Sequence, residues 1–353
     1  MSPGADARVA ELRARLGRLE RAVTRRRRQV ARLATQVEVL GEEARTPLDR
    51  TVGGAEDPEL APGTPSFSLA AQLHRRAHLT HLFEREGAPE PVLLIAPKLP
   101  AQRWAALNGV RVPRVLGRWP DPGAVEWDAL PARFVLKADV GGGAVNVFPL
   151  ARDTTAGGYT DLLTGEPTTR AAVTDALWSR HHDSSRYFAE ELLVGRGGDA
   201  STVPDDIKVF CFYGEPVYLE ARRGDQARAA AVTSPRARFF TAEGTELTDV
   251  RPFMDPGDDV VARPEDVEGV VAAAAALSGA VRRPLVRLDF YETEHGVVFG
   301  ELTMSPGHVP FLVPEWDLRL GTAYEHAYAR LLRDVAAEGA LRVVLGEDTG
   351  DEG

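Results

Sequence analysis

The sequence predicts an α/β or α+β body carried behind an N-terminal coiled-coil helix. Three observations lead there. Residues 9–40 repeat apolar side chains every seven positions, short apolar runs follow from about residue 67, and Ala-rich stretches of helical period such as 267–278 separate those runs. With 353 residues and 44% hydrophobic content the chain can build a core of two or three domains, which excludes a disordered protein.

In the first segment, residues 1–44, Val9, Leu16, Val23, Val30 and Val37 fall at the a positions and Leu12, Leu19, Leu33 and Leu40 at d, with Arg26 breaking the seam. β-Branched residues at a with Leu at d favour two parallel strands, so self-association through residues 9–40 is expected. Residues 1–40 also hold ten Arg against four acids. That leaves open a lone basic helix, or peripheral contact of this helix with an anionic membrane. Residues 45–66, rich in Pro, Gly and acids and without periodicity, read as a flexible linker, and residues 346–353 as a disordered tail.

The body reads as strands at 92–95, 134–136, 207–213 and 285–291 among helical stretches, with no internal repeat. The net charge of -10 divides into +6 for residues 1–40 and -16 for the rest, an acidic body that argues against nucleic acid as a partner. Cys211 is the only cysteine, which excludes an intrachain disulfide, and its apolar neighbours mark it as a buried thiol. The first thirty residues lack the apolar core of a signal peptide and no stretch reaches membrane-spanning length, so a soluble cytoplasmic protein with no transmembrane segment is expected.

Of 42 basic residues only Lys98, Lys137 and Lys208 are lysine. In so Arg-biased a chain, each is a candidate for chemistry that a guanidinium cannot perform. Lys137 ends an apolar strand and runs through Asp139 into Gly141, Gly142 and Gly143. An ammonium beside backbone N–H groups freed by glycines suits nucleotide phosphates, although a surface lysine before an ordinary loop would read the same way. The loop is neither a Walker A sequence nor a dinucleotide fingerprint. Lys208 shares one strand face with Asp206 and Phe210, and in so apolar a run it needs an anionic partner, an open cleft or an edge position.

Residues 286–303 read as a hairpin. With a three-residue loop at 294–296, Thr293 pairs with Val297, Asp289 faces Glu301 and Arg287 faces Thr303. All four side chains then share a face, with opposed Cβ atoms roughly 4.5 to 5.5 Å apart. Two carboxylates so placed suit Mg²⁺ completed by phosphate oxygens better than Zn²⁺, whereas a solvated hairpin would leave two acids repelling. The turn Met304-Ser305-Pro306-Gly307-His308 could offer backbone N–H groups to a substrate carboxylate, or be a plain turn. His74, His78 and His81 share a helical face but lack the Glu of a zinc protease motif and read as ordinary helix surface.

Taken in order, Phe134-Val135-Leu136-Lys137, Glu190-Glu191-Leu192-Leu193, Asp206-Ile207-Lys208-Val209-Phe210-Cys211-Phe212-Tyr213-Gly214-Glu215-Pro216, Gly300-Glu301-Leu302-Thr303-Met304-Ser305-Pro306-Gly307 and Glu315-Trp316-Asp317 resemble the TupA-like branch of the ATP-grasp enzymes, over about residues 92–325. The resemblance implies an ATP-grasp fold, two α+β subdomains gripping the nucleotide at 131–345, with an N-terminal substrate-side region at 67–130. It implies ATP and Mg²⁺ as cofactors. Lys137 with Gly141, Gly142 and Gly143 would meet the phosphates, Glu190, Glu191, Leu192 and Leu193 would form the adenine hinge, and Asp206 would take the ribose hydroxyls. Lys208 would hold the nucleotide and act with Arg287 in catalysis, Asp289, Glu301 and Thr303 would bind the metal, and Ser305, Gly307 and His308 would face the substrate. Asp139, Val140 and Gly142 depart from the Asn-His pair and Ser that the family usually carries.

The implied activity is an ATP-dependent carboxylate-amine ligase working through an acyl phosphate on small-molecule or polymer substrates, in the synthesis of a cell-surface polymer or a peptide-like natural product. A kinase on the same fold and a non-catalytic nucleotide-binding coiled-coil scaffold are the alternatives. Lys98, at the head of the helical stretch 99–108, gains no role from the resemblance.

Overall fold

The computed structural model describes residues 67–87, 91–141, 146–153, 157–179, 186–197, 203–223, 236–251, 261–306 and 312–338. The heptad segment 1–44, the linker 45–66 and the tail 346–353 lie outside the described residues.

Chain order is helix α1 (Leu69–Arg85), a 3-10 turn (Pro91–Ile95), helix α2 (Lys98–Leu107), β1 (Val115–Trp119), β2 (Arg133–Ala138), β3 (Val147–Arg152), β4 (Tyr159–Asp161), β5 (Glu166–Thr168), helix α3 (Arg170–Trp178), β6 (Tyr187–Glu191), β7 (Asp206–Phe212), β8 (Glu215–Arg222), β9 (Arg238–Thr241), β10 (Glu246–Leu247), helix α4 (Val267–Val281), β11 (Val286–Thr293), β12 (Gly296–Thr303) and helix α5 (Pro314–Glu338). The run 92–95, expected as a strand, is the 3-10 turn instead. Proline heads it, and four apolar residues are too few for periodicity to separate strand from helix.

The strands form two six-stranded antiparallel sheets, in the orders β1-β6-β2-β3-β4-β5 and β10-β9-β8-β7-β11-β12. In the first, Thr169 caps α3 by accepting from the Ala172 N–H, and the helix buries Val173 and Leu177 against Phe134, Leu136 and Tyr187. In the second, the alternation of β7 separates two chemistries. Val209, Cys211, Val286 and Leu288 form one face with Val270, Ala274 and Leu277 of α4, a stripe at helical spacing. Burial there pushes the Cys211 thiol pKa up, as expected of an inert core cysteine.

The other face of the second sheet is apolar at one end only. Phe210, Phe212, Tyr218 and Phe239 lie under Leu69 of α1 and Trp316, Leu320 and Tyr324 of α5. Its other end carries Asp206, Lys208, Asp289 and Glu301. Among the described residues no helix is long and apolar enough to cross a membrane.

Candidate active site

The hairpin brings its four chemical residues together by a different route from the one expected. The loop is the two residues Glu294 and His295, Thr293 pairs with Gly296 rather than Val297, and the ladder runs to Phe290 opposite Phe299. Gly300 is then an extra residue in a β-bulge, after which Asp289 faces Glu301 and Arg287 faces Thr303. A loop one residue shorter and a bulge one residue longer cancel, so the register at the chemical end is the expected one. The bulge admits only glycine comfortably, because a Cβ at Gly300 would lie 2.7 Å from Tyr291 Cε2.

Strand pairing lines up charges across four strands: Glu301 on β12, Asp289 on β11, Lys208 on β7 and Glu220 on β8. Asp289 is the hub. Its Oδ1 accepts from Arg287 Nε at 2.6 Å and its Oδ2 from Arg287 Nη2 at 2.8 Å and from Lys208 Nζ at 2.7 Å. Arg287 Nη2 also donates to Thr303 Oγ1 at 2.8 Å. Burial alone would raise the Asp289 pKa, but Arg287 and Lys208 outweigh it and hold the carboxylate ionised at about 2.

Lys208 sits on a central strand, not an edge, and pairs with both Asp206 and Asp289. Burial would lower its pKa, but those two carboxylates hold it up. Asp206 is the opposite case: burial raises its pKa, and its Oδ1 is buried with no hydrogen-bond partner among the described residues.

All three lysines are buried, at 6% exposure for Lys98, 7% for Lys137 and 8% for Lys208, and they converge on this region. Lys137 pairs with Glu190, itself 2% exposed. Lys98, given no role above, spans the two halves. Its Nζ donates to the Gly141 carbonyl at 2.5 Å, beyond the first sheet's β2, and lies 4.0 Å from Glu301 Oε1 on the second sheet. Burial lowers its pKa, Glu301 opposes this and Lys137 adds to it. Gly141 adopts φ +102, a conformation that favours glycine.

Asp139 has a local reason to be there. Its carbonyl accepts from the Lys98 N–H at 3.0 Å and its Oδ1 from the Leu99 N–H at 2.7 Å, so it caps α2 from another segment and ties Lys98 to the loop after Lys137. Gln102, one turn after Lys98, donates from Nε2 to Glu190 Oε2 at 2.8 Å. Neither Lys98 nor Gln102 stood out by motif. The only signal for Lys98 was the scarcity of lysine.

The remaining expected residues are more dispersed. Glu191 accepts from the Arg114 N–H at 2.9 Å, and Leu192 and Leu193 follow it half-buried. Ser305 is exposed beyond Met304, while Gly142, Gly143, Gly307 and His308 lie outside the described residues. Tyr291 joins the site unannounced: burial raises its phenol pKa, and Asp206, Glu190, Asp289 and Glu301 all push the same way.

The donor set fits a hard divalent cation. Asp289 is ionised and paired in register with Glu301, and among the described residues no group of three or more His, Cys, Asp or Glu could hold a metal by itself. Two carboxylates with phosphate oxygens and water completing the shell are what Mg²⁺ prefers.

The site is thus built of lysine-bearing strands in two antiparallel sheets, with paired acids on the last hairpin of the second. Residues 78–325 match the family described as TupA-like ATPgrasp, and the chain belongs to that family. Among solved structures it is similar to D-alanine–D-alanine ligase from Bacillus anthracis, with 14% identity over 74% of this chain and 77% of that one at a TM-score of 0.44. It is also similar to the D-cycloserine synthetase DcsG, with 15% identity over 73% and 81% of the two chains and a TM-score of 0.40. A third likeness is the ATP-grasp ligase PsnB complexed with minimal precursor, with 14% identity over 73% and 70% and a TM-score of 0.40. No curated protein matches the sequence.

Proposed function

We propose that this protein is an ATP-dependent ligase that joins a carboxylate to an amine through an acyl phosphate, acting on a cell-surface polymer precursor or a peptide-like natural product. The observation that carries the proposal is the placing of Lys208 and Arg287 on the ionised Asp289, opposite Glu301, with Lys98 4.0 Å from Glu301 Oε1 and Lys137 buried against Glu190. Membership of the TupA-like ATP-grasp family supports it.

In this account Lys137 holds the phosphates from the first sheet, Lys208 from the second, and Lys98 from α2 between them. Glu190 to Leu193 border the adenine, and Asp206, whose buried Oδ1 lacks a hydrogen-bond partner among the described residues, takes the ribose hydroxyls. Asp289, Glu301 and Thr303 would hold Mg²⁺, which would supply neutralisation of phosphate charge. A substrate carboxylate oxygen bonds to the γ-phosphorus as the bond to ADP breaks. The amine nitrogen then bonds to the acyl carbon, phosphate leaves and the amine gives up a proton. Arg287 stands where charge develops in both steps, and its guanidinium cannot deprotonate because burial is outweighed by Asp289. The exposed Ser305 stands on the substrate side.

The test is a screen of amino acids and uronic acids for ADP release. The proposal expects release that needs both a carboxylate and an amine. Turnover with an alcohol alone and a stable phosphoester product would assign a kinase instead. The heptad segment is proposed to self-associate in the cytoplasm, and removing residues 1–44 should leave a mostly monomeric body, read from its sedimentation mass.

A further inference from the structure

Gln102 belongs to no motif of the sequence, yet it stands on the same face of α2 as Lys98, one turn on, and is only 3% exposed. Its Nε2 donates to Glu190 Oε2 at 2.8 Å, while Glu190 Oε1 pairs with Lys137. The amide Oε1 is buried with no hydrogen-bond partner among the described residues. Rotating the amide would set that oxygen against the Glu190 carboxylate, so the bond to Glu190 decides the orientation and leaves the other half of the group unsatisfied, a costly arrangement.

The arrangement has a consequence for Lys137. A carboxylate free to turn would offer both oxygens to the ammonium beside it. With Oε2 held by Gln102, Glu190 meets Lys137 through one oxygen, and the ammonium keeps donors for another anion. The charged and titratable groups around this contact are Lys98 on α2, Lys137 on β2, Asp139 just beyond β2, Glu190 on β6, Tyr291 on β11 and Glu301 on β12.

We infer that Gln102 is a positioning residue for the nucleotide: it holds Glu190 so that Lys137 faces the phosphates with free donors. The inference rests on the ATP-dependent activity proposed above. It places α2 as a third wall of the site, with Lys98 touching phosphate and Gln102 acting through Glu190.

The test measures Mg-ATP binding to the full chain by titration of a fluorescent ATP analogue, in wild type, Gln102→Met and Gln102→Glu. Met fills nearly the same volume, so Gln102→Met should keep a cooperative thermal transition within a few degrees of wild type and weaken binding by roughly tenfold, as expected for loss of a hydrogen bond to a buried charge. Glu at this position can donate to Glu190 only when the two share a proton. Relative to wild type, Gln102→Glu should therefore bind nearly normally at about pH 6 and lose roughly tenfold or more by about pH 9, as the pair ionises and repels. Met binding as tightly as wild type, or a Glu variant whose pH profile parallels wild type, would overturn the role of Gln102 and leave the ligase assignment standing. Wild type that binds no Mg-ATP would remove both.

Discussion

Replacing Gly300 by alanine probes the site without touching a charged group. The added Cβ would lie 2.7 Å from Tyr291 Cε2 and 3.3 Å from both Tyr291 Cζ and the Asp289 carbonyl. Ordinary contact begins at 3.4 Å, so the ring must withdraw by about 0.7 Å, the difference between 3.4 and 2.7 Å. Tyr291 is half-buried, so its ring can give part of this distance, but Phe290 packs edge-on to Phe299 at 6.0 Å on the opposite face beside the bulge and limits how far the backbone of either strand can follow. Overpacking of this kind costs about 1 to 3 kcal/mol. For a protein of this size each kcal/mol moves the thermal midpoint by roughly 2 to 4 °C. Differential scanning fluorimetry should show a fall of several degrees, and Mg-ATP affinity should fall with it because Glu301 is the next residue. A Gly300→Ala protein with the wild-type midpoint and wild-type affinity would refute the bulge and the register built on it.

Asp289→Asn should lower turnover by orders of magnitude through loss of the metal charge. It should also cost stability, about 3 kcal/mol, because Arg287 and Lys208 lose their shared buried anion; a urea midpoint equal to wild type would contradict the hub geometry. Glu220→Gln, at a carboxylate with 0% exposure clasped by Arg222 and Arg251, should destabilise by roughly 3 to 5 kcal/mol, read from the same midpoint. Glu220 and Asp289 are both held at about 2 in the fold, burial opposing and neighbouring cations prevailing, against unfolded values near 4. Their contribution is therefore present above about pH 4.5 and is lost as pH falls toward about 2; a urea midpoint flat across that window would contradict the sign. Lys98→Arg should weaken Mg-ATP binding roughly tenfold, since a branched guanidinium does not fit where Nζ meets the Gly141 carbonyl, and titration with unchanged affinity would dismiss Lys98 from the site.

What the sequence made legible is what strand periodicity and pairing control. Arg287, Asp289, Glu301 and Thr303 could be placed together because two alternating strands leave few registers, and the error in the loop was absorbed by a glycine bulge that no local rule announces. Lys208 could be marked as needing an anion, and it has two, Asp206 and Asp289. Val92 to Ile95 misled because a short apolar run between prolines carries no period. Gln102, Glu220 and Tyr291 were invisible for another reason. Each acquires its role from elements far away in the chain, as when Gln102 reaches Glu190 across 88 residues. Lys98 lies between: composition flagged it, and only the packing of α2 against the Gly141 loop and β12 says why.

The central claim is that a substrate carboxylate takes up the γ-phosphoryl group on its way to an amide. It is tested most directly with an ¹⁸O-labelled carboxylate that supports ADP release, by following the label into products. The account predicts that inorganic phosphate carries ¹⁸O from the carboxylate, and that hydroxylamine in place of the amine yields a hydroxamate. Unlabelled phosphate released with no hydroxamate would mean that water, not the carboxylate, receives the phosphoryl group, and would contradict it.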